Sequence, residues 1–151
     1  MPVQVTSDRA AWQEIQSKLM ATGWCSRVLI GEPKAAPDPI TACILGDEVT
    51  IDETTLNTPR EVHKCIIRFY APFLGEPEEE VEFALEQIRA NIWSDIFGDF
   101  ELGGDIAYIM PTLCASKMGN LSVGGRDGNV MYRILDMTIA YRVDDKATFV
   151  A

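Results

Sequence analysis

The segment EEEVEFALEQIRANIWSDIF, which runs from Glu78 to Phe97, decides the fold class of this 151-residue chain. Its apolar residues recur at spacings of three and four, so they share one face of a helix. These residues are Val81, Ala84, Leu85, Ile88, Ile92 and Ile96. Pro77 suits the first helical position, and the three glutamates from Glu78 to Glu80 favour the positive end of the helix dipole. A helix with one apolar stripe has to pack against a second layer.

A short strand, a loop and a long strand are predicted after this helix. The short strand runs from Ile106 to Met110 after the turn at Gly103-Gly104, and the glycine-containing segment from Pro111 to Asn129 is predicted as a long loop. The chain then alternates from Asn129 to Val143, which is the pattern of a strand. One face of this strand carries Leu135, Met137, Ile139, Tyr141 and Val143, and the other carries Ile134, Asp136, Thr138, Ala140 and Arg142.

The first half of the chain predicts another helix and further strands. Ser7 or Thr6 caps the helix and Gly23 ends it. Its apolar stripe consists of Ala11, Trp12, Ile15 and Leu19. Strands are predicted at Arg27 to Ile30, Thr41 to Leu45, Val49 to Asp52 and Arg60 to Ala71, with a proline-rich loop from Gly31 to Pro39.

The strand from Arg60 to Ala71 has one apolar and one mixed face. His63, Cys65, Ile67 and Phe69 point one way, and Val62, Lys64, Ile66, Arg68 and Tyr70 point the other. This pattern is typical of an antiparallel strand whose second face is half-solvated or bears an interface. The order of elements predicts one domain, residues 1–151, of the α+β class. We expect a two-layer sandwich with two helices packed on one face of a mainly antiparallel or mixed sheet.

The composition is globular and acidic, with 47% hydrophobic residues and a formal net charge of −10. The negative charge argues against tight binding of nucleic acid phosphates, which would need clustered basic residues. It would suit a surface that DNA passes without binding. A need for solubility alone also explains the charge. The chain has no run of 18 apolar residues, and its first residues lack the features of a secretory signal. We therefore expect a protein made in the cytosol without a membrane segment.

The four cysteines, Cys25, Cys43, Cys65 and Cys114, are widely spaced and show no metal-binding pattern with the single histidine. Cys43 and Cys65 lie beside isoleucines in strand-like segments, as small buried side chains do. We predict four reduced thiols, and the spacing does not support the alternative of a disulfide. No metal site and no cofactor are expected.

Three features raise the question of an active site, and each has a structural explanation. His63 shares a strand face with Cys65, but two residues along a strand span about 7 Å, too far for a nucleophile and its base. The segment from Gly124 to Gly128 lacks the Gly-Lys-Ser/Thr end of a phosphate loop and leads into a strand, so a flexible or assembly loop is favoured over an anion contact through Arg126. The acids that begin the helix at Glu78 form a solvated face. We predict no catalytic residues and expect that the protein is not an enzyme.

Residues off the apolar stripes are the candidates for a protein interface. Tyr70 and Trp93 lie off the stripes of their elements and are expected to be exposed. The full set of predicted interface residues is Arg68, Tyr70, Trp93, Met118, Arg126, Asp127 and Arg142. We expect these residues to contact other protein chains.

The order of elements from Glu78 to Val143 resembles that of the tail terminator proteins of long-tailed bacteriophages. The resemblance lies in the helix that runs into Ile96-Phe-Gly-Asp-Phe-Glu-Leu-Gly-Gly-Asp105, the short strand that ends Tyr108-Ile-Met-Pro111, the loop, and the terminal strand Tyr132-Arg-Ile-Leu-Asp-Met-Thr-Ile-Ala-Tyr-Arg-Val143. The resemblance covers less than half of the chain. It lies in the positions of glycines and of alternating strands, and it includes no catalytic motif.

The resemblance implies an α+β protomer that forms a homo-hexameric ring. Such a ring caps the finished tail tube, contacts the tail tube protein and the head–tail connector or stopper protein, and lets DNA pass through its lumen without specific binding. It implies a location in the virion, at the tail or neck, after assembly in the host cytoplasm. Two alternatives stay open: a head–tail stopper or other neck protein, and a small soluble ligand-binding or enzymatic α+β domain.

Overall fold

The computed structural model describes residues 7–33, 40–52, 60–72, 78–97, 107–125 and 128–143. Its elements are helix α1 (Ser7–Thr22), strands β1 (Arg27–Ile30), β2 (Thr41–Asp52) and β3 (Arg60–Pro72), helix α2 (Glu78–Phe97), strand β4 (Ala107–Ile109), a 3-10 turn (Pro111–Leu113), and strands β5 (Ala115–Gly125) and β6 (Gly128–Val143). Gly23, at a φ of 75°, follows α1 and ends it as predicted. The predicted turn at Gly103-Gly104 and most of the proline-rich loop lie outside the described residues.

One mixed sheet forms the first layer. Its strands lie in the order β1-β2-β3-β6, and both β4 and β5 pair with the far edge of β6. β1 is parallel to β2, and the other pairings are antiparallel. β3 and β6, which alternate most clearly in sequence, pair from Glu61↔Val143 to Pro72↔Tyr132 at the centre of the sheet.

Both helices pack on one face of this sheet. The apolar stripes of α1 and α2 share a core cluster with the face of β3 that carries Phe69 and the face of β6 that carries Leu135. Members from the helices are Ala11, Ile15, Leu19, Val81, Leu85, Ile88 and Ile92, each at most 8% exposed. The predicted two-layer α+β sandwich is therefore confirmed. The sheet face without these helices, called here the open face, carries Arg68 and Asp136.

The predicted long loop from Pro111 to Asn129 is wrong. This segment forms the 3-10 turn and the 11-residue strand β5, and β5 pairs with β6 from Ala115↔Thr138 to Gly125↔Gly128. Glycine weakens a strand when considered alone, but here the ladder with β6 and its side chains supplies the stability. Ile134 lies over Gly119, with its Cγ1 3.9 Å from the position that a Cβ at Gly119 would take.

The two short strands predicted between Thr41 and Asp52 are one strand. The expected break at Gly46 is a β-bulge, because the register shifts between Gly46↔Cys65 and Val49↔His63. The bulge keeps β2 in the sheet, while the polar bulge residues Asp47 and Glu48 stay exposed to solvent. Gly46 also leaves room for the Trp12 ring, whose Cη2 would lie 3.1 Å from a Cβ at that position.

Candidate interaction surfaces

The open face carries a mostly buried ion pair. Arg68 on β3 lies directly opposite Asp136 on β6. The Arg68 guanidinium donates two hydrogen bonds to the carboxylate, from Nε to Oδ1 at 2.7 Å and from Nη2 to Oδ2 at 3.1 Å. These hydrogen bonds raise the pKa of Arg68 and outweigh its burial, which acts in the opposite direction. The Arg68 head group is thus engaged within the sheet.

A small apolar cluster lies beside this ion pair on the same face. Tyr70 and Tyr132 meet edge to face, with ring centroids 5.4 Å apart and an interplanar angle of 82°, and Cys43 and Ile134 complete the cluster. Tyr70 is 2% exposed, so the prediction that it is exposed is wrong. Its cross-strand neighbour Ile134 and the Tyr132 ring cover it, which strand alternation alone does not reveal. Burial raises the pKa of Tyr70, and nearby Arg68 acts against that rise.

The other predicted interface residues do not gather on one surface. Trp93 and Met118 are partly buried and pack against the main core under the helices, and the expectation that Trp93 is well exposed is wrong. Arg142 is half-buried and, by strand alternation, points to the open face of β6. Arg126 and Asp127 lie outside the described residues. A role of these residues in an interface stays a prediction.

The β5–β6 hairpin extends beyond the rest of the sheet. β3 ends opposite Tyr132, whereas the β5–β6 ladder continues through four more pairs, from Ser122↔Met131 to Gly125↔Gly128. We call this extension, residues 122–125 and 128–131, the arm. Val130 and Met131 are each 44% exposed and, as successive strand residues, point to opposite faces. Among the described strands, β5 pairs with β6 alone, so its outer edge offers backbone hydrogen-bonding groups to a partner.

A shallow groove lies between α2 and two residues that precede strands, Trp24 before β1 and Ile40 before β2. Its volume is about 210 Å³, and it is lined by Trp24, Ile40, Ala84, Gln87, Ile88 and Asn91. We call it the α2 groove. Phe83, one turn from Gln87, is 68% exposed and is the most exposed large apolar side chain in the described part of the chain. Sites for small molecules typically measure about 300–1,000 Å³, so this groove suits a single side chain better than a ligand.

His63 is part of a buried chain of aromatic and polar groups. It is 8% exposed and stacks on Tyr141 with ring centroids 5.6 Å apart. Its Nε2 lies 2.7 Å from Oε2 of Glu61. Trp12 in α1 donates a 2.9 Å hydrogen bond from Nε1 to Oη of Tyr141. The hydrogen bond between Trp12 and Tyr141 anchors α1 on the sheet.

Cysteine thiols and acidic side chains are the groups of this chain that could take part in nucleophilic or metal chemistry. All four cysteines are free in the structure, Cys43 and Cys65 buried and Cys25 and Cys114 partly buried. Burial raises the pKa of both the Cys25 and the Cys43 thiol to about 11, so neither is a ready nucleophile near neutral pH. Within the described ranges, no group of three or more His, Cys, Asp or Glu residues is placed to hold a metal ion. No helix in the described ranges is long and apolar enough to cross a membrane.

The arm and the α2 groove were missed by the sequence reading. The arm had a partial signal, since Gly125 and Gly128 flank two residues just before the alternating segment of β6, as glycines do in a hairpin turn. The groove had none, because its lining comes from segments about 45 to 65 residues apart in the chain, such as Trp24 and Ile88. Comparison with known proteins finds no family model that matches the chain and no curated protein with significant similarity to it.

Proposed function

We propose that the chain is a structural, non-enzymatic virion protein, a tail terminator whose copies close into a six-subunit ring on the end of a phage tail tube. The ring stops tube growth and joins the tube to the head connector or stopper in the neck. The α+β sandwich agrees with the protomer that the resemblance implies. The acidic chain, with a formal net charge of −10, suits a lumen through which DNA passes without binding.

The observation that carries the proposal is the pair of unpartnered features at one edge of the sheet. The arm exposes Val130 and Met131, and β5 has no described strand on its outer side. Natural proteins protect long edge strands from chance pairing, and assembly with another chain is one way to do so. This edge would supply one of the two different surfaces that contacts repeating around a closed ring require.

Native mass measurement tests the proposal first. Light scattering of the purified chain over a range of concentrations should detect a particle of six times the 16.8 kDa chain mass, and negative-stain images should show rings. A chain that stays monomeric or dimeric at every concentration would contradict the ring and favour the ligand-binding alternative, which a ligand screen would then examine.

A tube-capping assay separates a terminator from a stopper. Rings added to tail tubes that are elongating in vitro should bind the open tube end and halt growth, whereas a stopper should bind only tubes that are already terminated. Tubes that grow to the same length with and without the rings would overturn the terminator assignment while leaving a neck protein as the explanation of any ring.

A further inference from the structure

We propose that the segment after β6, residues 144–150, adds as a parallel strand to the outer edge of β5 in the next copy of the chain. This segment lies outside the described residues. The inference rests on the proposed function in that copies of the chain assemble, and it adds how they join. In strand addition, backbone hydrogen bonds supply the affinity and alternate side chains supply the specificity.

The outer edge of β5 lacks the usual protection of an edge strand. Its eleven residues pair with β6 without a register shift, and they include no proline and one charged residue, Lys117. At the opposite edge of the sheet, Gln16 donates a 3.0 Å hydrogen bond from Nε2 to the carbonyl of Val28 in β1. That edge is therefore partly capped by the chain itself. β5 is the longest and least protected of the described edges, so it best accepts an added strand.

The side chains of β5 on the open face decide which strand fits. Lys117 lies opposite Asp136, which accepts two hydrogen bonds from Arg68. Lys117 is exposed and adds a second positive charge next to this one carboxylate. Further along the same face, Leu121 and Val123 pack against the small apolar cluster and are only partly buried. An added strand therefore needs an acidic residue beside Lys117 and an apolar side chain four residues further along β5.

The segment after β6 has this spacing. When Asp145 lies beside Lys117 in a parallel pairing, the position four residues further on is Phe149. Its ring then lies beside Leu121, where it extends the apolar cluster of the open face. Residues 148–150, Thr-Phe-Val, also favour a strand. In an antiparallel pairing that keeps the same two charges together, Phe149 would lie beyond the first residue of β5, so the parallel direction is favoured.

The reach of the chain shows why this contact joins two copies. Val143 lies seven residues beyond Asp136 on β6, about 23 Å along the strand. Lys117 lies opposite Asp136, whereas Asp145 follows Val143 by two residues, which span about 7 Å. The segment therefore cannot take this register on its own β5. A contact between two different surfaces of neighbouring copies runs head to tail and can close a ring.

Charge substitutions in the full-length chain test the register. Asp145→Lys places like charges side by side, and Asp144→Lys makes the same change one residue earlier, where the side chain points to the other face. We expect Asp145→Lys to raise the concentration of half-assembly, measured by light scattering, at least fivefold and Asp144→Lys to change it less than twofold. Adding Lys117→Asp to Asp145→Lys should restore assembly to within twofold of the unmodified chain. Recovery in the double variant would exclude loss of folding as the cause.

Paired cysteines then identify the neighbouring residues directly. Gly119→Cys with Ala147→Cys places two thiols side by side in the proposed register. A Cβ at Gly119 would lie 3.9 Å from Cγ1 of Ile134, an ordinary contact, so the substitution fits. Asn120→Cys with Ala147→Cys is the matched control, because its thiols point to opposite faces. Mild oxidation should link the first pair into chains of up to six copies on a non-reducing gel. The control should link no more than the unmodified chain, whose four cysteines set the background.

The outcomes separate this contact from the ring. Rings that form equally well with Asp145→Lys, or that link both cysteine pairs equally, would overturn the strand addition and leave the ring proposal standing. An unmodified chain that stays a monomer at every concentration would overturn both.

Discussion

Arg68 and Asp136 face each other across the two central strands, in a two-pronged ion pair on the sheet face opposite the helices. Their side chains are 19% and 13% exposed, so the two charges compensate each other where little water reaches. A slip of β6 by one residue would move Asp136 to the other face of the sheet. The pair therefore opposes such a slip and helps to fix the register of β3 on β6.

Asp136→Ala should lower the free energy of unfolding by about 3 kcal/mol, because it leaves the Arg68 charge poorly solvated. Urea unfolding measures the change. The exposed pair of Glu86 and Arg89 is the matched control, and Glu86→Ala should cost about 0.5 kcal/mol or less. Replacing both partners, as Arg68→Met with Asp136→Leu, should return the stability to within about 1 kcal/mol of the unmodified chain. If Asp136→Ala were as mild as the control, the pair would not be effectively buried.

Ile88→Asp should unfold the protomer. Ile88 is 5% exposed in the core between α2 and the sheet, and a buried carboxylate costs several kcal/mol, which is a large part of the stability of a domain of this size. Thermal melts followed by circular dichroism measure the effect. Ala90→Asp, on the exposed side of the same helix, should melt within a few degrees of the unmodified chain. A folded Ile88→Asp variant would mean that the buried face of α2 is assigned incorrectly.

Trp12 and Tyr141 should show energetic coupling. The hydrogen bond from Trp12 Nε1 to Tyr141 Oη joins α1 to the end of β6, and a partly buried hydrogen bond contributes about 1 kcal/mol. A double-mutant cycle of Trp12→Phe and Tyr141→Phe in urea should return a coupling energy of about that size. The cycle cancels the packing lost by each single change. A coupling energy near zero would indicate that water or another group replaces the partner.

Stability should fall between pH 9 and pH 11, in part because of Cys43. Burial raises the pKa of its thiol to about 11 in the folded chain, whereas the ordinary value is 9.0. Between these values the unfolded chain has released the proton that the folded chain still holds, so rising pH favours unfolding. The stabilisation is complete below pH 9 and is lost as the pH rises through 11.

Cys43→Ala checks this assignment. Between pH 9 and pH 11, the slope of the unfolding free energy against pH should become shallower. The change should be at most the amount that corresponds to the release of one proton on unfolding. At pH 7 to 8 the slopes of the variant and of the unmodified chain should coincide, which serves as the internal control. Equal slopes above pH 9 would show that the thiol is not buried as described.

The helices and the central strands were predictable because their signals are local. The 3.6-residue period of α2 predicts which of its side chains face the core, and the strict alternation of β3 and β6 does the same for the strands. Leu135 and Ile88 are buried as that reading requires. The fold class follows from the same signals, since two stripes and an alternating sheet can hide their apolar faces only by packing in two layers.

β5 was not predicted from the sequence because its stability comes from pairing with β6. Ala115 to Gly125 is rich in glycine and serine, and no local preference makes it a strand. Pairing with β6 supplies the ladder, and β4 and β5, before and after the 3-10 turn, pair with successive parts of the same edge of β6. Tyr70 was misjudged for a related reason: strand alternation gave its face correctly, but its burial depends on Tyr132 and Ile134.

The sequence by itself determined the α+β class, the buried stripes and the acidic character of this protein, because periodicity and charge are properties of the chain. The tertiary structure alone decided that the segment after Leu113 becomes an edge strand with a projecting arm, and that Trp24, Ile40 and α2 enclose a groove. Those features depend on contacts between residues far apart in the chain, and such contacts leave little trace in local pattern.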